Sequence, residues 1–301
     1  MKKGLKIRVF LTVVMAMVGV TSAQAWNPGT HVLITERVFP LCLDKFDLYY
    51  GSIAPDLALY VPENLEANWP LENSFYDTHY EFIDLRKDAW GFPQQAFAKG
   101  WLIHNENKAY KVVGADYYAH VCPPYQECTA PQDGYVYRKA NQLLDLLYAA
   151  GQCITCDGPP YTAEELELAH SAIEIAIDAL LKQYKDPKLA KKLMEADILR
   201  SWRDLALLNK AMVLQGKATD SLTLASAEIS FRNIVFQYAL ALASSTVEDM
   251  QPLAVLGSQI TGGLLTPEQV RPILDLAIDL CAFDYEEVIK GTIQNIRSDL
   301  R

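Results

Sequence analysis

Thr162-Ala-Glu-Glu165-Leu166-Glu-Leu-Ala-His170-Ser-Ala-Ile173-Glu174-Ile-Ala-Ile177-Asp-Ala-Leu180 decides the fold class of this 301-residue chain. Thr162 and Glu165 have the spacing of a capping box, and Leu166, Ile173, Ile177 and Leu180 recur at the period of a buried helix face. His170 falls on that apolar stripe and Glu174 stands at its edge, four residues on. An ionised carboxylate near a core needs a partner charge, and a metal ion would be one.

The same helical period extends in both directions. Phe97, Trp101 and His104 align in 94–105, and further helices are predicted over 187–214, 221–244, 266–281 and 284–299, with Thr266-Pro267-Glu268 as a helix start. The expectation is an all-α, multi-helix bundle. Residues 43–93, rich in Pro, Asn, Tyr and Trp, read as a long irregular segment, and long aromatic loops tend to carry function. Residues 122–134 and 151–160 read as loops inside one domain. A softer boundary falls near Tyr184-Lys-Asp-Pro187, beyond which no histidine occurs, so 26–184 is the expected catalytic region and 185–301 a helical extension packed on it.

Residues 1–25 have the form of a secretory signal peptide: Lys2, Lys3, Lys6 and Arg8, an apolar run from Val9 to Val20, then a small-residue stretch ending in Ala23-Gln-Ala25. Its removal would make Trp26 the first residue and would take the formal net charge from −10 to −14, because the leader carries four basic residues and no acid. The expected location is secreted or periplasmic. So acidic a chain is a poor candidate for nonspecific binding to nucleic acid or to an anionic membrane surface. In an exported chain cysteines tend to pair. Cys122 with Cys128 and Cys153 with Cys156 have the spacing of local staples, which would leave Cys42 for Cys281, although six cysteines admit other pairings.

The chain has five histidines, His31, His79, His104, His120 and His170. Two ligand pairs have the four-residue spacing that puts both groups on one helix face, Asp116 with His120 and His170 with Glu174. Taken singly, each pair is also an ordinary helix-surface contact. His104 is also a core histidine, His79 a stacking partner for its aromatic neighbours, and Asp56 after Pro55 a turn cap. Trp26 enters through its backbone, since a free α-amine and the carbonyl of one residue can chelate a single ion.

Five segments taken together, Trp26-Asn-Pro-Gly-Thr-His31-Val-Leu-Ile, Gly51-Ser-Ile-Ala-Pro-Asp56, His79-Tyr-Glu-Phe, Gly100-Trp-Leu-Ile-His104 and Gly114-Ala-Asp116-Tyr-Tyr-Ala-His120, resemble the successive motifs of the zinc-dependent phospholipase C family. The resemblance covers 26–184 and implies an all-α fold shared with S1/P1 nucleases and up to three zinc ions. It implies one zinc on Asp56, His79, His104 and Asp116, a second on the Trp26 amine and carbonyl, His31 and Asp116, and a third on His120, His170 and Glu174. In the family the bridging aspartate stands four residues after the third-motif histidine. Here that position is Lys108 and Asp116 comes twelve residues on, so either Asp116 reaches across an insertion or Glu106 or Asn107 takes its place. No acidic residue stands in 27–30, where the choline-specific members carry one.

These features imply a phosphodiester hydrolase acting on phospholipid, in which zinc-activated hydroxide attacks phosphorus and Asp56 orients or deprotonates the water. Tyr76, Tyr80 and Tyr117 are candidates for the mouth of the site. Transient contact with a membrane surface is compatible with such a substrate. Two other readings stay open: an S1/P1-type single-strand nuclease with the same metals, and a nonenzymatic secreted protein with a relic metal site.

Overall fold

The computed structural model describes residues 26–80, 84–106, 112–124, 128, 133–152, 158–217 and 219–301; the predicted leader and the Cys153/Cys156 pair lie outside them. Among the described residues the fold is all-helical, without a strand. The first four helices are α1 (Pro28–Val38), α2 (Lys45–Ile53), α3 (Leu71–Phe75) and α4 (Gly91–His104), followed by α5 (Tyr135–Ala149) and α6 (Ala163–Tyr184). The remainder comprises α7 (Leu189–Leu199), α8 (Arg203–Leu214), α9 (Ser221–Ser244), α10 (Gln251–Ile260), α11 (Pro267–Cys281) and α12 (Tyr285–Asp299). No described helix is long and apolar enough to cross a membrane.

The capping box of α6 forms as spaced: Thr162 N–H donates to Glu165 Oε2 (2.8 Å) and Glu165 N–H to Thr162 Oγ1 (3.2 Å). Two expectations change. The described residues of 43–93 are helical in short pieces, because Pro55 sits in the first turn of a 3₁₀ segment (Ala54–Tyr60), Pro62 caps another (Glu63–Asn68) and Pro70 caps α3. The single helix predicted over 187–214 is two. At the break Arg200 turns extended, stacks on the Tyr50 ring and pairs with Glu228, while Ser201 N–H donates to Asp47 Oδ1 (2.7 Å). Tertiary partners outcompete the helix there.

Those contacts also join the C-terminal helices to the first half. Tyr50 donates to Glu228 of α9 (3.0 Å), α9 packs against the Ala54–Tyr60 turn, and α11 packs against α6 and α5. The core is continuous, with Trp26, Trp69 and Trp101 almost fully enclosed.

Cys122 and Cys128 form a disulfide. The pairing of Cys42 with Cys281 does not form: both are free thiols, Cys42 beside the Asp44 carbonyl and Cys281 buried near Tyr135 and Lys139. Burial raises the Cys281 thiol to about 12, so it is chemically inert.

Two glycines bring α2 and α4 into backbone contact. A Cβ on Gly51 would collide with the Phe97 carbonyl, and one on Gly100 with the Leu48 carbonyl and the Ser52 nitrogen. The end of α2 is thereby pressed against the last turn of α4, where His104 sits.

Candidate metal centre

α1, α2 and α4 deliver His31, the segment after Ser52 and His104 to one end of the bundle, and α6 brings His170 and Glu174 to the same region. His79 and His120 are carried by two π-helical turns, Tyr76–Tyr80 and Tyr117–Val121. Such turns recur at functional sites because the extra residue re-aims a side chain. This explains a departure from the spacing argument. Asp116 and His120, four apart, would share an ion on an α-helix, but the wide turn, closed by Cys122 N–H on the Tyr117 carbonyl (2.9 Å), sends them to different groups.

Among the described residues, three buried groups could each hold a metal ion: His31, His104 and Asp116; Asp56, His79 and His104; and His120, His170 and Glu174, the donor atoms within each lying within 4.8 Å of one another. His104 belongs to two of them. Asp116 lies between the first pair of rings, its Oδ1 3.0 Å from His31 Nε2 and its Oδ2 2.9 Å from His104 Nε2. Asp56 Oδ1 lies 3.4 Å from both His79 Nε2 and His104 Nε2.

The insertion after His104 is pinched at its base. Asn105 Nδ2 donates to the Val112 carbonyl (3.2 Å), and Gly114 packs so closely on the Asn105 backbone that no Cβ fits. Asp116 is thus returned to His104, and Glu106 goes elsewhere, its Oε1 lying 2.9 Å from His120 Nδ1. Asn107 lies outside the described residues.

The hydrogen bonds at the back of the rings fix which atoms face inward. His104 Nδ1 is 2.8 Å from the Ser52 carbonyl, which can only accept, so Nδ1 carries a proton and Nε2 points into the site. His79 Nδ1 is 2.7 Å from Thr78 Oγ1, whose hydroxyl donates to the Ser74 carbonyl (2.9 Å), and the same logic turns its Nε2 inward. His79 Nε2 and His104 Nε2 then face each other at 3.1 Å, and His120 Nε2 faces His170 Nε2 at 3.3 Å. Glu174 Oε1 lies 2.9 Å from His170 Nε2. Neither Asp116 oxygen is engaged in hydrogen-bond geometry despite its close imidazoles, and Glu174 Oε2 is buried without a donor.

Lone pairs and carboxylates converging in a buried cluster require positive charge among them, either protons or a cation. The proton affinities show the demand. Burial opposes charge on His104, yet the Asp116 and Asp56 carboxylates raise it well above the ordinary histidine value. Burial likewise opposes ionisation of Asp116 and Asp56, but the facing imidazoles hold both below the usual carboxylate range. For His31 burial wins and lowers its affinity against the pull of Asp116. Glu174 is raised well above its usual value by burial and then by the neighbouring carboxylates. A divalent cation would satisfy all of these groups at once, and imidazole with carboxylate is a donor set suited to one.

Trp26 is placed by its side chain. The ring is buried and stacks on Tyr135 (centroids 6.1 Å apart), and its indole N–H donates to the carbonyl of Ala115 (2.8 Å), the residue before Asp116. Tyr76 and Tyr80 are exposed and stacked on each other (6.2 Å), and Tyr117 is half-buried.

Several supporting residues escape a sequence reading. Ser52 acts through a backbone carbonyl, which no side-chain pattern reveals. Phe75 stacks on His79 (3.9 Å), and Tyr137 lies edge-on to both His120 (5.4 Å) and His170 (4.9 Å). Asp178, one turn after Glu174, accepts from Gly29 N–H (2.8 Å), the Thr30 hydroxyl (2.6 Å) and the Tyr238 hydroxyl (2.8 Å), which ties the start of α1 to α6. Its four-residue spacing from Glu174 was the available signal. No family model matches the chain, and no curated protein or solved structure matches it either.

Proposed function

We propose that this chain is an exported metal-dependent phosphodiester hydrolase of the phospholipase C kind, with the phospholipase C/P1 nuclease type of helical bundle, up to three zinc ions and phospholipid as substrate. The observation that carries the proposal is the convergence of inward-facing imidazole nitrogens and carboxylate oxygens in three buried groups, two of which share His104. The Cys122–Cys128 disulfide supports export. Zinc, when bound, supplies Lewis acidity toward water and the phosphoryl oxygens.

The protein's own part is positioning and proton handling. Ser52 and Thr78 hold the His104 and His79 rings in the ligating tautomer, and Glu106 does the same for His120. Asp56, at the edge of its group, is the acceptor for the proton of the attacking water. Trp26, locked through its indole one residue from Asp116, brings an α-amine to the first group only once the leader has been removed.

A nuclease reading rests on the exposed Tyr76–Tyr80 pair on the turn that carries His79, since stacked aromatics accept bases. The test is metal analysis of the mature protein together with three assays: a chromogenic soluble phosphodiester, head-group release from phospholipid, and nucleotide release from single-stranded DNA. Metal-dependent hydrolysis of the soluble diester and the lipid supports the proposal; preference for DNA replaces it with the nuclease; a metal-free or inert protein overturns both. A version with one residue added before Trp26 should bind less metal, and unchanged content removes Trp26 from the ligand set.

A further inference from the structure

The helices that place the ligands also define an opposite end of the molecule. α1 carries His31 in its first turn and α4 carries His104 as its last residue, so the end of α1 and the start of α4 lie away from the metal groups. The length of α4 alone makes the separation about 20 Å. Six large apolar side chains stand in solvent at that far end. Leu41 (90% exposed) and Leu43 (93%) lie in the α1–α2 connection, and Trp90 (81%) and Phe92 (78%) at the start of α4. Leu199 (54%) ends α7, and Trp202 (77%) lies in the α7–α8 turn.

Specific contacts gather these tips into one face. Gln94 accepts from Trp90 N–H (2.9 Å) and donates to the Arg203 carbonyl (3.0 Å), which joins the two tryptophan turns. Asp47 in the first turn of α2 accepts from Ser201 N–H (2.7 Å), which brings the α7–α8 turn against the α1–α2 connection. Lys99 Nζ lies 5.9 Å from the Phe39 ring, and the Arg203 guanidinium 5.6 Å from the Trp202 ring. Both cations are exposed, and among the described residues neither forms an ion pair.

We infer that this face docks the protein on a phospholipid bilayer, the tryptophans and leucines entering the headgroup boundary and Lys99 and Arg203 meeting anionic headgroups. Three features favour lipid over a protein partner. The apolar groups are separate tips on turns rather than a continuous groove or helix stripe. Two are tryptophans, whose ring buries in an apolar layer while the N–H stays hydrated. Lys99 beside Phe39 and Arg203 beside Trp202, neither in an ion pair among the described residues, give this face local positive charge in a mature chain that is otherwise acidic, where they would meet a negative surface. Docked in this way, the protein presents its metal end away from the bilayer that holds it, so this docking is an attachment and does not deliver that bilayer's lipid to the metal groups. The inference does not depend on hydrolase activity.

The chain reports on this itself. Trp26, Trp69 and Trp101 are buried, so Trp90 and Trp202 are the indoles open to quenching from outside. With the full mature protein as isolated and spectra taken at once after mixing, vesicles of phosphatidylcholine and phosphatidylglycerol at roughly 7:3 should blue-shift emission and shield it from acrylamide. Brominated lipid in the same vesicles should quench it. Trp90→Ser with Trp202→Ser and Phe92→Ser should weaken vesicle co-flotation about tenfold or more. Lys99→Glu with Arg203→Glu should abolish the preference for anionic over pure phosphatidylcholine vesicles. All five positions are exposed, so circular dichroism and any soluble-diester hydrolysis should be unchanged in both variants, and absence of hydrolysis in the wild type would count against the hydrolase proposal rather than this one. The inference is overturned if wild-type emission ignores both vesicle types or if the triple variant floats as well as wild type. Lipid-independent dimerisation lost in the same variants would instead make the face a contact between copies of this chain.

Discussion

Because His104 belongs to two of the three groups and His170 to one, single substitutions should release different numbers of ions. Replacing His104 by Ala leaves His31 with Asp116 in the first group and Asp56 with His79 in the second, while the third keeps all its donors. Replacing His170 leaves His120 with Glu174 and spares the other two groups. Structural zinc sites bind with about 10–16 kcal/mol over four ligands, so each ligand is worth about 3 kcal/mol, or more than a hundredfold in affinity. At free zinc buffered about tenfold above the wild-type dissociation constants, a site that has lost one donor falls below about a tenth occupancy. Elemental analysis after equilibrium dialysis should therefore find two equivalents fewer in His104→Ala and one fewer in His170→Ala, with circular dichroism confirming that both variants stay helical. Equal losses in the two variants, or complete loss in His170→Ala, would refute the shared-ligand arrangement.

Three further outcomes follow from the packing. Gly100→Ala should destabilise the protein by about 1–3 kcal/mol in urea unfolding although helix propensity favours alanine by about 1, because its Cβ meets α2 backbone; a stabilised variant would mean that α2 and α4 are not in contact. Burial raises Asp178 from 3.8 to about 6, against the hydrogen bonds it accepts, so the folded state holds this proton more tightly than the unfolded one. The stability of the chelated protein relative to Asp178→Asn should therefore fall by about 2 kcal/mol as pH rises from 4 to 6, out of about 3 in all, and level off above about pH 7, and a pH-independent difference contradicts the placement. Replacing Cys122 and Cys128 by Ser should cost about 2 kcal/mol for so short a loop, and the thiol of Cys42 should alkylate in the native protein while Cys281 reacts only on unfolding.

The sequence declares what depends on local pattern. Thr162 with Glu165 and the stripe from Leu166 to Leu180 predict α6 because capping and burial on one face are both written at fixed spacing. His170 and Glu174 meet because that helix is regular. Asp116 and His120 do not share a group, because a π-helical turn is set by tertiary closure and leaves no mark in residue spacing. The break at Arg200–Trp202 is likewise invisible, since Arg200 and Ser201 are compatible with helix and turn only for partners distant in sequence, Glu228 and Asp47. Elimination suggested Cys42 with Cys281, but thiols bond by proximity, and these two sit in unrelated surroundings. Ligand chemistry was legible from residue type; the atoms that fix each ring, a carbonyl at Ser52 and a hydroxyl at Thr78, were not.

The glycine contact between α2 and α4 bears on how the pocket can move. With backbone against backbone at Gly51 and Gly100, the two helices have no side-chain cushion along which to slide, so Ser52 and His104 travel as one rigid strut. Under the proposed function, any movement that admitted a substrate would then fall to the turns bearing His79 and His120. The groups that could hold metal would in that case be anchored by one part of the chain and opened by another.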